Sequence, residues 1–174
     1  MKQMRLFLLL GFLLLGLAAS QAHAQDPTVV GTPPAADSTG SALLNEYAKD
    51  YDVVFKAVKT ALESMGYEVN YSSKKKHLIE TSFKQLANED DFFDVMKKYG
   101  DIPYIRSPGW TIGRAKISVN FEEIDAARTG IKVIAQLSGY ESRFETKWLY
   151  WNSNGKLEDD AMMAINTTVE ASQQ

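Results

Sequence analysis

Hydrophobic side chains recur at helical spacing in two parts of the chain. One stretch runs from Asp50 to Gly66 and the other from Lys156 to Val169. Apolar residues three or four positions apart lie on one side of an α-helix, so both stretches predict amphipathic helices with one buried stripe. Gly66 lies where a left-handed residue ends a helix, and Tyr67 follows where the cap's hydrophobic contact falls. We therefore expect one helix near each end of the folded region.

Between these helices the apolar period falls to two, which is typical of half-buried strands. The segments "YEVNY" and "LIETSF" flank a polar tip and predict a hairpin, with Ile79, Thr81 and Phe83 on one face. A second hairpin is predicted from alternating residues at 114–122 and 131–138.

The segment "SRFETKWLYWNSNG" supplies a further strand. Its Trp148 and Trp151 are three positions apart, so they point to opposite faces of the sheet.

Residues 88–110 interrupt the strands as a helix-loop insertion. The segment from Asn88 to Tyr99 predicts a short helix capped by Asn88, and a loop rich in proline and glycine follows. Residues 43–49 fit either an extension of the first helix or a short strand before it. The order of elements predicts an α+β two-layer domain, in which an antiparallel sheet of four to five strands carries its N- and C-terminal helices on one face.

The beginning of the chain has the composition of targeting and linker segments. Residues 1–24 place Lys2 and Arg5 before an apolar run that ends in Ala22-His23-Ala24. This pattern predicts a secretory signal peptide cut before Gln25, and hence a periplasmic or extracellular protein. Residues 25–40 are rich in Pro, Gly, Ser and Thr and predict a flexible linker. A single domain then fits residues 41–174.

Charge and cysteine content narrow the possible partners. The chain has a net charge of −3, which falls to −5 without residues 1–24 because Lys2 and Arg5 are their only charged side chains. A net acidic chain is a poor nucleic-acid binder, since affinity for phosphates needs clustered cations. Cysteine is absent, so we expect neither a disulfide nor a lipidated cysteine. No second apolar run is long enough to span a membrane after cleavage.

Catalytic and metal-binding residue sets are missing from the sequence. His77 is the only histidine after residue 24, and three lysines precede it with no acidic neighbour in sequence. Nucleophilic catalysis by serine needs a histidine base, and zinc needs three or four ligands at short spacing. Asp90, Asp91 and Asp94 are expected in the first turn of a helix for dipole reasons alone. We expect no enzyme activity, metal or cofactor.

The segment "SSKKKHLIETS" contains three consecutive lysines and falls at the tip of the first hairpin. Lysines at such a tip are solvated, so the pattern favours an ordinary turn. The alternative is a cationic patch for anionic lipid headgroups, but such patches use more than three charges, each worth about 1 kcal/mol.

Aromatic residues cluster in two segments that are partly loop. One interpretation places them in the core, and the other makes them partner contacts, because Trp and Tyr beside Arg are typical interface anchors. We expect Trp148 in the core and Trp110 on a surface turn presented by Ser107-Pro108-Gly109. The candidate contact residues are Tyr104, Arg106, Trp110, Arg143 and Trp151.

Three segments resemble a known family: "YDVVFKAVKTALESMGYEV", "LIETSF", and "NGKLEDDAMMAI" after a tryptophan. They are similar to the helix-grip domains of bacterial envelope proteins, such as the third component of the outer-membrane β-barrel assembly complex. This chain differs in having no lipoprotein cysteine. The resemblance implies a protein that works by contact, with no catalytic residues to carry over.

These observations predict a non-catalytic periplasmic protein that acts as an interaction or structural module, with another envelope protein as its partner. The alternative is a protein that binds a small apolar ligand or lipid. Its pocket would lie between sheet and helix, lined by residues such as Tyr71, Phe83 and Phe121.

Overall fold

The computed structural model describes residues 43–105 and 108–172, which form eight strands and three helices. The predicted signal peptide and linker lie outside the described residues. In chain order the elements are β1 (Leu43–Tyr47), α1 (Tyr51–Ser64), β2 (Val69–Ser73), β3 (Leu78–Thr81), β4 (Lys84–Ala87), α2 (Phe92–Tyr99), β5 (Gly100–Asp101), β6 (Trp110–Asp125), β7 (Arg128–Glu141), β8 (Lys147–Ser153) and α3 (Lys156–Ala171).

A long antiparallel hairpin, β6–β7, forms the centre of the sheet. The strand order is β2-β3-β6-β7-β8-β5, with β4 also pairing β6 and β1 also pairing β7. Every pairing is antiparallel. The predicted α+β class and both predicted hairpins are confirmed. The sheet is larger than the predicted four to five strands, because residues 43–49 open with a strand and because β4 and β5 are too short to show a sequence period.

The outer edge of β6 pairs with β3 and β4, and the outer edge of β7 pairs with β1 and β8. At each edge a gap separates the two outer strands, and a side chain fills it. Between β3 and β4, the Ile117 N–H of β6 donates to Thr81 Oγ1 at 2.9 Å. Between β1 and β8, the Ala135 N–H of β7 donates to Glu158 Oε1 at 3.0 Å. Glu158 Oε2 also accepts from Ser153 Oγ at 2.7 Å. Both buried backbone donors are thus satisfied, which is what burial requires of them.

The helices cover one face of the sheet, with α1 packed against α3. Asp50 caps α1 by accepting from the Val53 N–H at 3.0 Å. At the other end of α1, Gly66 has a φ of 77°, and the Tyr67 N–H donates back to the Leu62 carbonyl at 3.0 Å. The predicted left-handed cap is therefore confirmed, and Tyr67 follows it into the core with 4% exposure. No helix within the described residues is long and apolar enough to cross a membrane.

Trp110 and Trp151 lie in the core, which corrects the expectation that Trp110 is at the surface. Their exposed fractions are 4% and 2%. Phe92 of α2 stacks on Trp110 with centroids 5.5 Å apart, and the two indoles meet edge to face at 5.2 Å. A Cβ at Gly139 would lie 2.7 Å from Trp151 Cζ2 and 3.0 Å from Trp110 Cε3. The insertion therefore closes the core, since α2 and Trp110 fill the space above Gly139.

Two other local predictions are wrong. Phe83 does not share a face with Ile79 and Thr81, because β3 ends at Thr81 and the alternation breaks before β4 begins. Asn88 does not cap α2. The N-cap residue is Asp91, whose carboxylate accepts from the Asn88 N–H instead of capping the helix.

Candidate functional site: the uncovered face of the sheet

Because all three described helices pack on one side, no element within residues 43–105 and 108–172 covers the other side of the sheet. We call this surface the open face. Its side chains come from alternate positions of β6, β7 and β8 and from the ends of β3 and β4, and most are half-buried by their own neighbours. Its larger members are Leu78, Phe83, Ile112, Arg114, Lys116, Ile134, Gln136, Tyr140, Trp148 and Tyr150.

Four side chains contact one another in series across the open face. We call this set the aromatic row, and its members are Phe83, Arg114, Trp148 and Tyr140. The guanidinium carbon of Arg114 lies 4.1 Å from the ring centroid of Phe83 and 3.6 Å from that of Trp148. Trp148 in turn meets Tyr140 edge to face, with centroids 5.5 Å apart. Contacts between a cation and aromatic faces contribute about 0.5–2 kcal/mol each. The row is therefore ordered by its own contacts.

A small residue on β7 makes this line possible. Ser138 lies between Arg114 and Tyr150 in the sheet register and has 0% exposure. Its hydroxyl accepts from Arg114 Nε at 3.0 Å. The short side chain leaves room for the Trp148 ring to reach across β7 to the guanidinium. A larger residue at 138 would separate the two halves of the aromatic row.

The open face carries a mixture of charges beside the aromatic row. Lys116 Nζ lies 3.8 Å from Glu80 Oε1, and the Ser118 hydroxyl lies 3.3 Å from the same oxygen. Lys116 is also 5.8 Å from the Phe83 ring centroid. Polar groups thus flank the aromatic row on the β3 side.

Four of the five predicted contact residues lie within the described ranges, and the structure does not bring these four together as one surface. Trp110 and Trp151 are buried, so neither indole is accessible to a partner. Tyr104 is 92% exposed on the loop before β6, and Arg143 is exposed on the turn between β7 and β8. Arg106 lies outside the described residues. Trp148, expected in the core, is half-buried on the open face, and the prediction that it points away from Trp151 is confirmed.

A buried carboxylate fastens the loop that carries Tyr104 to the turn that carries Arg143. Glu141 has 0% exposure and accepts four backbone N–H groups. Burial alone raises its pKa, but the four donors outweigh burial and lower the pKa to about 2. The donors are Gly109 N (2.8 Å), Arg143 N (3.0 Å), Phe144 N (2.8 Å) and Glu145 N (2.6 Å).

The residues considered for catalysis and small-ligand binding are scattered. The His77 imidazole meets the Tyr51 ring edge to face at 5.3 Å, on an exposed turn. Within the described ranges no three His, Cys, Asp or Glu side chains are grouped so as to hold a metal ion. Phe121 packs against Phe55 of α1, whereas Phe83 lies on the open face. The pair therefore does not line one pocket between sheet and helix.

The triple-lysine tip is a turn that contacts α1. Lys74 Nζ lies 2.7 Å from Asp52 Oδ1, and both side chains are more than half exposed. The Tyr51 hydroxyl donates to the Lys74 carbonyl at 3.2 Å. His77 closes the turn with a φ of 51°, which side chains other than glycine rarely adopt.

We expect joint replacement of Lys74, Lys75 and Lys76 by serine to lower the free energy of unfolding by only about 0.5–1 kcal/mol, because exposed ion pairs contribute little. Urea unfolding measures this change. The Lys75→Ser, Lys76→Ser double variant keeps the Asp52 pair and is the matched control, with no expected change. A loss of several kcal/mol would show that the tip is a structural contact.

The sequence contains a signal for the open face, namely aromatic residues at outward strand positions. Other aromatic residues close by in the sequence obscure this signal. Tyr140, Trp148 and Tyr150 occupy strand positions where alternation calls for polar side chains. Three large aromatics at outward positions of neighbouring strands indicate a covered or binding surface. Their neighbours Phe144 and Trp151 obscure the alternation, so the sequence alone does not separate outward from inward rings.

No family model matches this chain. A search of known proteins finds the protein "FMP52-2, mitochondrial" of Scheffersomyces stipitis, which is 31% identical over 103 residues. The match covers 52% of this chain and 43% of the relative, so the chain spans less than half the length of that protein.

The name of this relative places that protein in mitochondria. This finding contradicts the predicted periplasmic or extracellular location, with its signal peptide, and the predicted role in a bacterial envelope. Those predictions came from residues 1–24 and from the helix-grip resemblance. A targeting segment is recognised by receptors and contributes nothing to the fold, so the domain itself offers no support for them.

Proposed function

We propose that this chain contains a protein-binding domain of helix-grip-like form, and that the open face is its binding surface. The observation that carries the proposal is the aromatic row, in which Arg114 lies between Phe83 and Trp148 on a face that no element of the described chain covers. The proposal concerns the surface and holds for any compartment.

The composition of the aromatic row fits a protein partner. Trp, Tyr and Arg are the residues most often found as interface hot spots, where truncation costs about 2 kcal/mol or more. Such anchors bind best when they are already held in place, because ordering a side chain on binding costs free energy. Contacts with Arg114 and Tyr140 already hold Trp148.

The surroundings of the aromatic row also favour a protein surface. Aliphatic side chains such as Ile134 and Ile112 continue the face beside it, and Lys116 and Glu80 supply polar groups nearby. An apolar centre with polar residues around it is the usual anatomy of a protein–protein interface.

Binding without catalysis is the second part of the proposal. His77 is on an exposed turn against Tyr51. Two carboxylates are buried within the described residues, and both have structural partners. Glu141 accepts four backbone N–H groups, and Glu158 accepts from the Ala135 N–H and the Ser153 hydroxyl. Both carboxylates therefore stabilise the fold through these hydrogen bonds.

Site-specific photocrosslinking in cells of the native host tests the proposal. A benzoylphenylalanine replaces Tyr150 or Gln136 on the open face, and Met163, 64% exposed on α3, serves as the control position. We expect a discrete protein adduct from both open-face positions and none from Met163. With Trp148→Ala in the same chain, adduct yield should fall by about tenfold, the scale of a hot-spot loss. Adducts of equal yield at all three positions, or none at the open face, would refute the proposal.

A further inference from the structure

Two indole N–H groups are buried beside α2 without a hydrogen-bond acceptor. The Nε1 atoms of Trp110 and Trp151 have no partner within the described residues, although the two side chains are only 4% and 2% exposed. The ring of Phe92, the first residue of α2, stacks on Trp110 and meets Trp151 edge to face, with centroids 5.5 Å and 5.3 Å away. A buried donor without an acceptor lowers stability, because it has lost its hydrogen bonds to water. The packing of α2 over these rings therefore carries an unfavourable contribution that contact with water would remove.

A third unpaired polar atom lies near the other end of α2. The Tyr67 hydroxyl is buried and forms no hydrogen bond with the described part of the chain. Burial raises the pKa of Tyr67, and the neighbouring Tyr99, the last residue of α2, raises it further. Within residues 43–105 and 108–172, all three buried side-chain polar atoms without a hydrogen bond thus belong to residues that border α2. Such atoms are rare in folded proteins, so their grouping around one helix calls for an explanation.

Two glycines of the sheet shape the surface on which α2 packs. A Cβ at Gly113 would lie 2.6 Å from Met96 Cγ, and a Cβ at Gly139 would lie 3.0 Å from Phe92 Cζ. Met96 and Phe92 therefore fit into two hollows, where they are 0% and 1% exposed. These contacts are apolar, so α2 can leave the sheet by withdrawing two side chains without breaking a hydrogen bond of β6 or β7.

The two ends of α2 are held differently. At the C-terminal end, the Asn154 N–H donates to the Tyr99 carbonyl at 3.0 Å, and Asn154 Nδ2 donates to the Lys98 carbonyl at 3.1 Å. The strand β5, which follows directly, pairs with β8. At the N-terminal end, the side chain of Asp91 makes no capping hydrogen bond, whereas Asp50 caps α1. A helix of eight residues is marginal without tertiary contacts, so its uncapped end is the weaker one.

We propose that α2 is a lid, which swings about its C-terminal end and opens over Trp110 and Trp151 while the sheet and the other two helices stay folded. When Phe92 and Met96 withdraw, water reaches the indole N–H groups, and their rehydration offsets part of the apolar exposure. The lid therefore opens at a lower free energy than the whole domain unfolds. It lies on the covered side of the sheet, so this inference is independent of the proposed function of the open face.

Amide hydrogen exchange of the full 174-residue chain measures the opening. We expect the amides of residues 95–99 to be protected about 100-fold less than those at the centres of β6 and β7. Their exchange should respond weakly to low urea, because opening exposes little surface, whereas exchange in β6 and β7 should respond strongly. The capped helix α1 is the matched control and should follow β6 and β7.

Replacement of the indole by benzothiophene tests whether the unpaired donors favour opening. Benzothienylalanine has the shape of tryptophan, but a sulfur atom takes the place of the N–H group. With this residue in place of Trp110 and Trp151, the closed form no longer buries two unpaired donors. We expect exchange in α2 to slow by about tenfold or more. The same replacement of Trp148, which is half-buried on the open face, is the matched control and should leave exchange in α2 unchanged.

Two results would overturn the proposal. One is exchange in α2 at the rate and with the urea dependence of β6 and β7. The other is unchanged or faster exchange in α2 after replacement of Trp110 and Trp151, since the indoles would then have acceptors, such as buried water, in the closed form. The wild-type measurement decides the question even if the replaced chain does not fold. Neither measurement needs a partner, so failure here leaves the open-face proposal intact.

Discussion

Trp110→Ala is expected to lower the free energy of unfolding by about 3–5 kcal/mol, the range for truncating a large buried aromatic side chain. The indole is 4% exposed, stacks on Phe92 and meets Trp151 edge to face. Its Nε1 has no hydrogen-bond partner among the described residues, so the loss is one of packing. Urea unfolding followed by circular dichroism measures the change without any known partner.

Trp148→Ala is the matched control for this prediction. Its indole is half-buried on the open face, and truncation there opens no internal cavity. We expect a loss of less than about 2 kcal/mol, mostly from the contact with Arg114. If Trp148→Ala were the more destabilising variant, the assignment of Trp110 to the core and Trp148 to the surface would be reversed.

Glu141→Gln is expected to destabilise the protein by about 2–4 kcal/mol near neutral pH, because it removes a charged acceptor of several hydrogen bonds. The carboxylate accepts two N–H groups on each oxygen. In the variant, the amide NH₂ faces two of these donors and cannot accept from either. The turn after β7 and the loop before β6 should loosen together.

The loss of stability caused by Glu141→Gln should depend on pH. The pKa of Glu141 is lowered from 4.5 to about 2 in the folded protein, so folding favours the ionised form. The stabilisation by this charge, about 3 kcal/mol, is complete above pH 4.5 and is lost as the pH falls towards about 2. Urea unfolding at pH values from about 6 to about 3 should therefore show the gap between wild type and Glu141→Gln narrowing with acidification.

Glu122→Gln provides the comparison, since Glu122 is exposed on β6 and its substitution should change the free energy of unfolding only slightly. A Glu141→Gln gap that stays constant from about pH 6 to about pH 3 would contradict the role assigned to the buried charge.

Local patterns predicted most of the regular elements. The apolar stripe from Tyr51 to Met65 and the Gly66 cap predicted α1, and strict alternation predicted β6 and β7. These predictions succeed because each pattern spans many residues with one period. The strands β4 and β5 have four and two residues, so no period can appear, and only pairing with β6 and β8 makes them strands.

The assignment of aromatic residues to core or surface shows where local patterns fail. Trp110 follows a Pro-Gly turn that suggests exposure, yet α2 folds over it and Phe92 stacks on its ring. Trp148 lies among aromatic residues that suggest a core, yet all three described helices pack on the opposite face of the sheet. Which face is covered depends on contacts between elements far apart in the chain.

The sequence by itself determined the two long helices, the two hairpins and the α+β class, because helical and strand periods are set by residues close together in the chain. Only the tertiary structure decided the open face, the aromatic row and the pairing of β1 with β7. Arg114 lies between Phe83 and Trp148, which are 65 positions apart in sequence, and β1 pairs with residues more than 80 positions away. A surface assembled across such separations leaves no periodic signal, because its members are neighbours only after the sheet has formed.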